Sequence, residues 1–294
     1  MAGDADGQSK SLEKLHADHS RHWRHNLYVY PVISRRSGGL SIGVNLNPDK
    51  VCNFNCIYCQ VDRHEQPDVR RVDLDRLRKE LETLVALAVS GDLFNEPPFD
   101  QVPTSHRCIC DIAFSGDGEP TASPQFPAAV QMVAEVRRAF GLNDVKLLLI
   151  TNAALLDQSA VRDTLAVMDD NNGEIWAKLD AGTETYFKRI NRAHIPLSKV
   201  IESILDAARV RPLVIQSLWM KVYDEPPPEV EVDAFADRLN EILTAGGRLK
   251  SIQVYTTARQ AAEPYVTPLS TDQLQAIADR IRAAVDVPVE TFGG

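Results

Sequence analysis

The sequence predicts an α/β protein whose parallel strands are joined by crossover helices. Two observations carry that expectation: six short β-branched runs alternate with segments of helical periodicity along the 294 residues, and 44% apolar composition is enough to fill a proper core. The first unit is the strand "LSIGVNL" (40–46), a cysteine-bearing loop and the amphipathic "LDRLRKELETLVALAV" (74–89). "CICDIAFSG" (108–116) with a helix over 125–140 makes the second, and "VKLLLIT" (145–151) with a helix over 159–168 the third. "EIWAKLD" (174–180) is the fourth strand, backed by "ETYFKRI" and "SKVIESILDAARV". "LVIQSLWMKV" (213–222) with 233–243, and "KSIQVYTT" (250–257) with 271–284, complete the series. Periodicity alone does not separate an open doubly wound sheet from an incomplete barrel. In both, chemistry sits at the carboxyl ends of the strands, which assigns loops 47–72, 116–123, 151–157, 181–183, 223–232 and 258–270 to the active face.

A net charge of −9 opposes long-range attraction to a polyanion, which disfavours nucleic acid as a partner. No run of eighteen apolar residues is present, and "MAGDADGQSKSLEK" lacks the apolar core of a secretory signal, so the expectation is a cytoplasmic protein with no membrane partner. Five cysteines in a chain of this length point to a reduced compartment, with thiols kept for ligation or packing. "HSRHWRHNLYVYPVISRR" collects Arg21, Arg24, Arg35 and Arg36 with His19, His22 and His25. Its histidines show no ligand spacing, and the segment reads as a solvated arm. The expected organisation is an arm over 1–25 and a single core domain over 26–294.

Three of the five cysteines, Cys52, Cys56 and Cys59, fall within eight positions of "NLNPDKVCNFNCIYCQVDR". On a helix they would share a face and serve as small apolar groups. Pro48, Asn53 and Asn55 favour turns instead, so the trio reads as metal ligands on a loop. Structural zinc wants four protein ligands. His64 is the nearby candidate for a fourth, while Cys108 and Cys110, on one side of a strand, lie about 17–23 Å from that strand's functional end. A four-iron cluster held by three cysteines leaves one iron open to a small molecule.

"CNFNCIYC" resembles the Cx3Cx2C signature of the radical S-adenosylmethionine (SAM) superfamily, with the aromatic Tyr58 just before the third cysteine. "FSGDGEPT" resembles that family's glycine–glycine–glutamate motif, and "AKLDAG" stands where its fourth strand contributes polar groups. The whole stretch from "VISRRSGG" to "CIYCQ" looks closest to the wyosine-type tRNA-modifying enzymes and related iron–sulfur oxidoreductases. The resemblance implies a partial (β/α)6 TIM-like barrel. It also implies a [4Fe–4S] cluster on Cys52, Cys56 and Cys59, with SAM chelating the open iron. SAM-binding positions would then be Tyr58, Gly116, Asp117, Gly118 and Glu119, together with Thr151, Asn152, Lys178, Asp180, Gln216 and Ser217. Asp117 departs from the glycine usual in the family. For Thr151, Asn152, Gln216 and Ser217, satisfied polar groups in a barrel interior are the competing reading, and for Lys178 and Asp180 a buried salt bridge.

The implied function is reductive cleavage of SAM to a 5′-deoxyadenosyl radical that abstracts hydrogen from a substrate, with a one-electron donor such as flavodoxin or ferredoxin. No cysteine precedes Cys52 and none follows Cys110, which removes the auxiliary-cluster ligands of wyosine-type and peptide-modifying relatives and favours a small-molecule substrate. A tRNA-modifying or glycyl-radical-activating enzyme, a non-enzymatic iron–sulfur electron carrier and a zinc-stabilised module are the alternatives.

Overall fold

The computed structural model describes residues 23–63, 65–67 and 69–293. Most of the arm expected over 1–25, and the candidate ligand His64, therefore lie outside the described residues. Eight strands form one sheet in the order β1-β2-β3-β4-β5-β6-β8-β10: β1 Val29–Ser34, β2 Gly39–Val44, β3 Ile109–Phe114, β4 Lys146–Thr151, β5 Gly173–Lys178, β6 Leu213–Leu218, β8 Leu249–Tyr255 and β10 Val289–Phe292. Two short strands, β7 Met220–Val222 and β9 Val266–Pro268, pair antiparallel in a second sheet. The helices are α1 Leu74–Ser90, α2 Phe126–Ala139, α3 Ser159–Asp169, α4 Glu184–Asn191, α5 Leu197–Val210, α6 Glu229–Thr244 and α7 Thr271–Ala284. Parallel strands with crossover helices make this a partial (β/α) TIM-like barrel, and all six expected strand–helix units are present.

The described residues divide into two compact units, the first within 23–49, 67–149 and 166–173, the second within 50–66, 150–165 and 174–293. In the first, α1 starts on Asp73, whose side chain accepts from the N–H groups of Asp75 and Arg76, and ends on Gly91 at φ 85°. Its buried face, Leu77, Leu81, Leu84, Val85 and Ala88, follows the helical period. Glu80 on the same helix is buried and accepts from the N–H groups of Leu27, Tyr28 and Val29.

That anchor corrects the reading of the "LYVYPVIS" portion as solvated arm. Tyr28 to Ile33 are buried, and β1 pairs antiparallel with β2. The ring of Tyr30 lies against Gly43, where a Cβ would come within 2.3 Å of it.

In the second unit the fifth expected strand breaks at Trp219 into β6 and β7. The indole is fully buried, edge-on to Phe235 with centroids 5.4 Å apart. Helix α6 begins four residues before the expected 233, so the end of "DEPPPEVEVD" is helix rather than loop. The reason is Glu231, buried, which accepts from Gly182 N at 2.6 Å, Thr183 N at 3.1 Å and Thr183 Oγ1 at 2.6 Å. Gly182 is required there, because a Cβ would stand 2.1 Å from the backbone nitrogen of Phe235. Strand β10, pairing parallel with β8, was not expected from the sequence.

Candidate functional site

The cysteine segment is a loop, not a helix, so the reading of its thiols as one helical face does not hold. It is seated on the end of α4. The last carbonyls of a helix lack intrahelical partners; here Ile190 O accepts from Ile57 N at 2.9 Å and Asn191 O from Asn55 N at 3.1 Å. Phe54 packs edge-on against Phe187 at 5.7 Å, and Ile57 and Tyr58 are buried. The far side is held by the loop after β8, where Ala262 N donates to Cys59 O at 3.1 Å.

None of the three thiols is in a disulfide, and each is half-buried. Asn191 Nδ2 donates to Cys56 Sγ at 3.5 Å, and Arg63 Nη2 donates to Cys59 Sγ at 3.5 Å. Cys52 Sγ lies 3.8 Å from Asn53 Oδ1. Burial and the charge of Asp180 push the Cys56 thiol up to about 12, with Lys178 and the Asn191 bond pulling the other way. At neutral pH the metal-free chain therefore holds Cys56 as the thiol, and metal binding would have to displace its proton.

Behind Cys56 is a polar knot centred on Asp180, which is buried. Its Oδ2 accepts from Tyr58 OH and from Asn191 Nδ2 at 3.1 Å, and its Oδ1 accepts from Leu218 N at 2.9 Å. Burial, then the Asp180 charge, raises the Tyr58 phenol well above its ordinary value, so the hydroxyl remains a donor. Asn152 Nδ2 donates to Asn53 Oδ1 at 2.6 Å, and Asn152 Oδ1 accepts from Ala154 N at 3.1 Å. Thr151 Oγ1 accepts from Ala153 N at 3.0 Å. Gln216 Nε2 donates to Gln253 Oε1 at 2.8 Å, leaving Gln216 Oε1 and the hydroxyl of Ser217 buried without partners.

The structure thus brings Cys56, Tyr58 and Asp180 together with Asn191, which sequence reasoning missed. Asn191 lies 135 residues from Cys56, and no local signal links them. Arg63, four residues beyond Cys59, and Gln253 were missed as well, although a cation close after the trio was visible in the sequence.

The glycine-rich loop after β3 belongs to the first unit and is described by itself. Glu119 is buried and its Oε1 accepts from Thr121 N at 3.2 Å and Thr121 Oγ1 at 2.6 Å, a helix-cap role. Asp117 Oδ2 accepts from Asn45 Nδ2 at 2.6 Å, and Asp117 N donates back to Asn45 Oδ1 at 3.2 Å. A side chain at this position therefore ties the loop to the end of β2. Gly116 leaves room for that amide, since a Cβ would sit 2.3 Å from Asn45 Oδ1. Gly118 completes the bend.

Among the described residues no three His, Cys, Asp or Glu side chains are arranged to hold a single metal ion. A cubic cluster asks for something different, because each of its thiolates binds its own iron and the sulfurs need not converge on one point. N–H donors directed at Cys56 and Cys59 fit sulfurs in their anionic, metal-binding form.

The chain is similar in fold to solved structures. The structure of TYW1 with a lysine-pyruvate adduct bound has a TM-score of 0.50 at 15% identity, covering 93% of this chain and 81% of that one. Streptococcus suis SuiB bound to S-adenosylmethionine has a TM-score of 0.52 at 13% identity, covering 88% of this chain and 49% of that one. The chain shares the partial-barrel fold of these two proteins.

No family model matches the chain. Curated relatives include a UPF0026 protein of Helicobacter pylori, 28% identical over 76% of this chain and 65% of its own length. Another, from Synechocystis, is 24% identical over 89% of this chain and 94% of its own length. The GTPase Obg of Brachyspira hyodysenteriae is 24% identical over 83% of this chain, which spans only 32% of that protein. The chain thus spans only 32% of the GTPase and 65% of the Helicobacter protein. The chain has no G-x4-G-K-[S/T] sequence, so a phosphate-cradling loop of that type is not among the shared features. Among the described residues no helix is long and apolar enough to cross a membrane.

Proposed function

We propose that the chain is a radical SAM enzyme that uses a [4Fe–4S] cluster on Cys52, Cys56 and Cys59 and abstracts hydrogen from a small-molecule substrate. The observation that carries this reading is the cysteine loop itself: three cysteines outside any disulfide at Cx3Cx2C spacing, after a strand of a partial barrel, with N–H donors on two of the sulfurs. When bound, the cluster and SAM would supply reductive cleavage to a 5′-deoxyadenosyl radical, chemistry that belongs to the cofactors.

The chain's own residues hold geometry. The end of α4 and Ala262 hold the loop, while Asp180 orients Tyr58 and Asn191 beside Cys56. The buried, unpartnered Gln216 Oε1 and Ser217 Oγ are acceptor positions suited to a polar cofactor or an ordered water. By the resemblance, Glu119 accepts from the ammonium of SAM, with Gly116, Asp117 and Gly118 shaping its loop; Thr151, Asn152 and Lys178 complete the proposed SAM-binding set. A one-electron reductant such as flavodoxin or ferredoxin is the proposed partner.

The test is anaerobic reconstitution followed by reduction with SAM present. Four irons and four sulfides per chain and slow release of 5′-deoxyadenosine are expected, both lost when the three cysteines become serine. A protein that takes up only stoichiometric zinc, or that binds SAM with a full cluster and never cleaves it, would sink the enzyme reading.

A further inference from the structure

The two cysteines that the proposed function leaves unused form a pair of their own in the first unit. Cys108 is exposed and immediately precedes β3, and Cys110 is half-buried as the second residue of that strand. Their sulfurs are 3.6 Å apart. That is far beyond the roughly 2.05 Å of a disulfide. Two thiolates each about 2.3 Å from one tetrahedral ion stand about 3.8 Å apart, so the observed span is close to a two-sulfur chelate.

The neighbouring strand leaves the space open. Gly39 begins β2 opposite the pair, and Leu40 N donates to Cys108 O at 2.8 Å. A Cβ on residue 39 would come within 2.8 Å of Cys110 Sγ and 2.9 Å of Cys108 Sγ. Glycine in a strand marks close approach by another group; at Gly39 the approaching groups are the Cys108 carbonyl oxygen and both sulfurs.

We infer that Cys108 and Cys110 form a binding site for a thiophilic divalent ion of the zinc class, held by two sulfurs with solvent oxygen completing the tetrahedron. Binding displaces one proton from each thiol and changes no oxidation state. With no three-residue ligand group among the described residues, the site has two open positions and exchanges its ion readily. The proposal uses none of Cys52, Cys56 and Cys59 and does not rest on the radical SAM reading.

Full-length protein with those three cysteines replaced by serine isolates the pair. Titration with cadmium ion, followed by its sulfur-to-metal charge-transfer absorbance, should saturate at one equivalent, and a further Cys108→Ser or Cys110→Ser substitution should abolish the band. In the unsubstituted protein, zinc chloride should protect Cys108 and Cys110 from iodoacetamide in peptide mass mapping, a readout that does not depend on how the variants fold. Unprotected alkylation in saturating zinc would overturn the inference. So would a cadmium band that survives loss of either cysteine, or an air-formed 108–110 disulfide recovered in place of the metal-bound pair.

Discussion

Asp180 is the residue on which the geometry around Cys56 depends, since one buried carboxylate serves three donors from three parts of the second unit. Removing an acceptor leaves its donors desolvated, which costs more than the net worth of the bonds. Asp180→Ala should therefore lower unfolding free energy by about 3–5 kcal/mol. Tyr58→Phe, which removes only one donor, should cost about 1 kcal/mol. Urea denaturation of the apoprotein measures both; equal midpoints for Asp180→Ala and the parent would show that the knot does not form. At Glu119 the expectation separates capping from cofactor binding. Glu119→Gln keeps an oxygen to accept from Thr121, so stability should hold, while SAM affinity in the cluster-loaded protein should fall roughly tenfold as a charge-assisted bond is replaced by a neutral one. Unchanged affinity by equilibrium binding would remove Glu119 from the SAM site.

Elements in this fold are joined at a few points where no side-chain adjustment is available. Helix α6 approaches the loop after β5 so closely that Gly182 meets backbone of Ala234 and Phe235. Gly182→Ala must displace main chain and should destabilise by about 2–3 kcal/mol, measured by the urea midpoint. A near-neutral result would mean the helix moves freely. The join between α5 and the loop after β4 is electrostatic instead. Burial pushes the Asp157 carboxyl up, but the hydrogen bond and charge of Lys199 outweigh it and hold the group below its ordinary value. A carboxylate with a depressed folded pKa contributes stability above its unfolded value, about 3.9, and loses it as pH falls through the folded one. Lys199→Ala should therefore be less stable than the parent at pH 7, with the gap closing toward pH 2 in denaturant titrations. A gap that widens on acidification would contradict the pairing.

At the scale of the molecule, a net charge of −9 sets what the chain meets at a distance. Total tRNA should not be retarded with the protein in a gel shift at physiological salt, because acidic proteins gain no counterion-release drive from a polyanion. A stable, salt-sensitive complex would move the proposed substrate class from small molecules to RNA. A partial (β/α) barrel accommodates either, since function resides in the site and not in the barrel.

Short-range information was enough for six parallel strands and their crossover helices, because the alternation of apolar residues at periods of two and near 3.6 is written locally. It was enough for the cysteine loop too, where Pro48, Asn53 and Asn55 oppose a helix between two periodic segments. The edge strands β1 and β10 were not legible in the same way. Strand β10 has only four residues, and β1, as long as its neighbours, is placed by Glu80 accepting three backbone N–H groups from more than fifty residues away. The contacts that make the candidate site are of that kind. Asn191 reaches Cys56 because the end of α4 has unpaired carbonyls that the cysteine loop can fill, and Asp180 reaches Leu218 because β5 and β6 are neighbours in the sheet. Sequence by itself determined which residues carry sulfur and charge, and on which loops. Tertiary structure decided which of them meet, because a buried polar group must find partners and the nearest ones are set by packing, not by position along the chain.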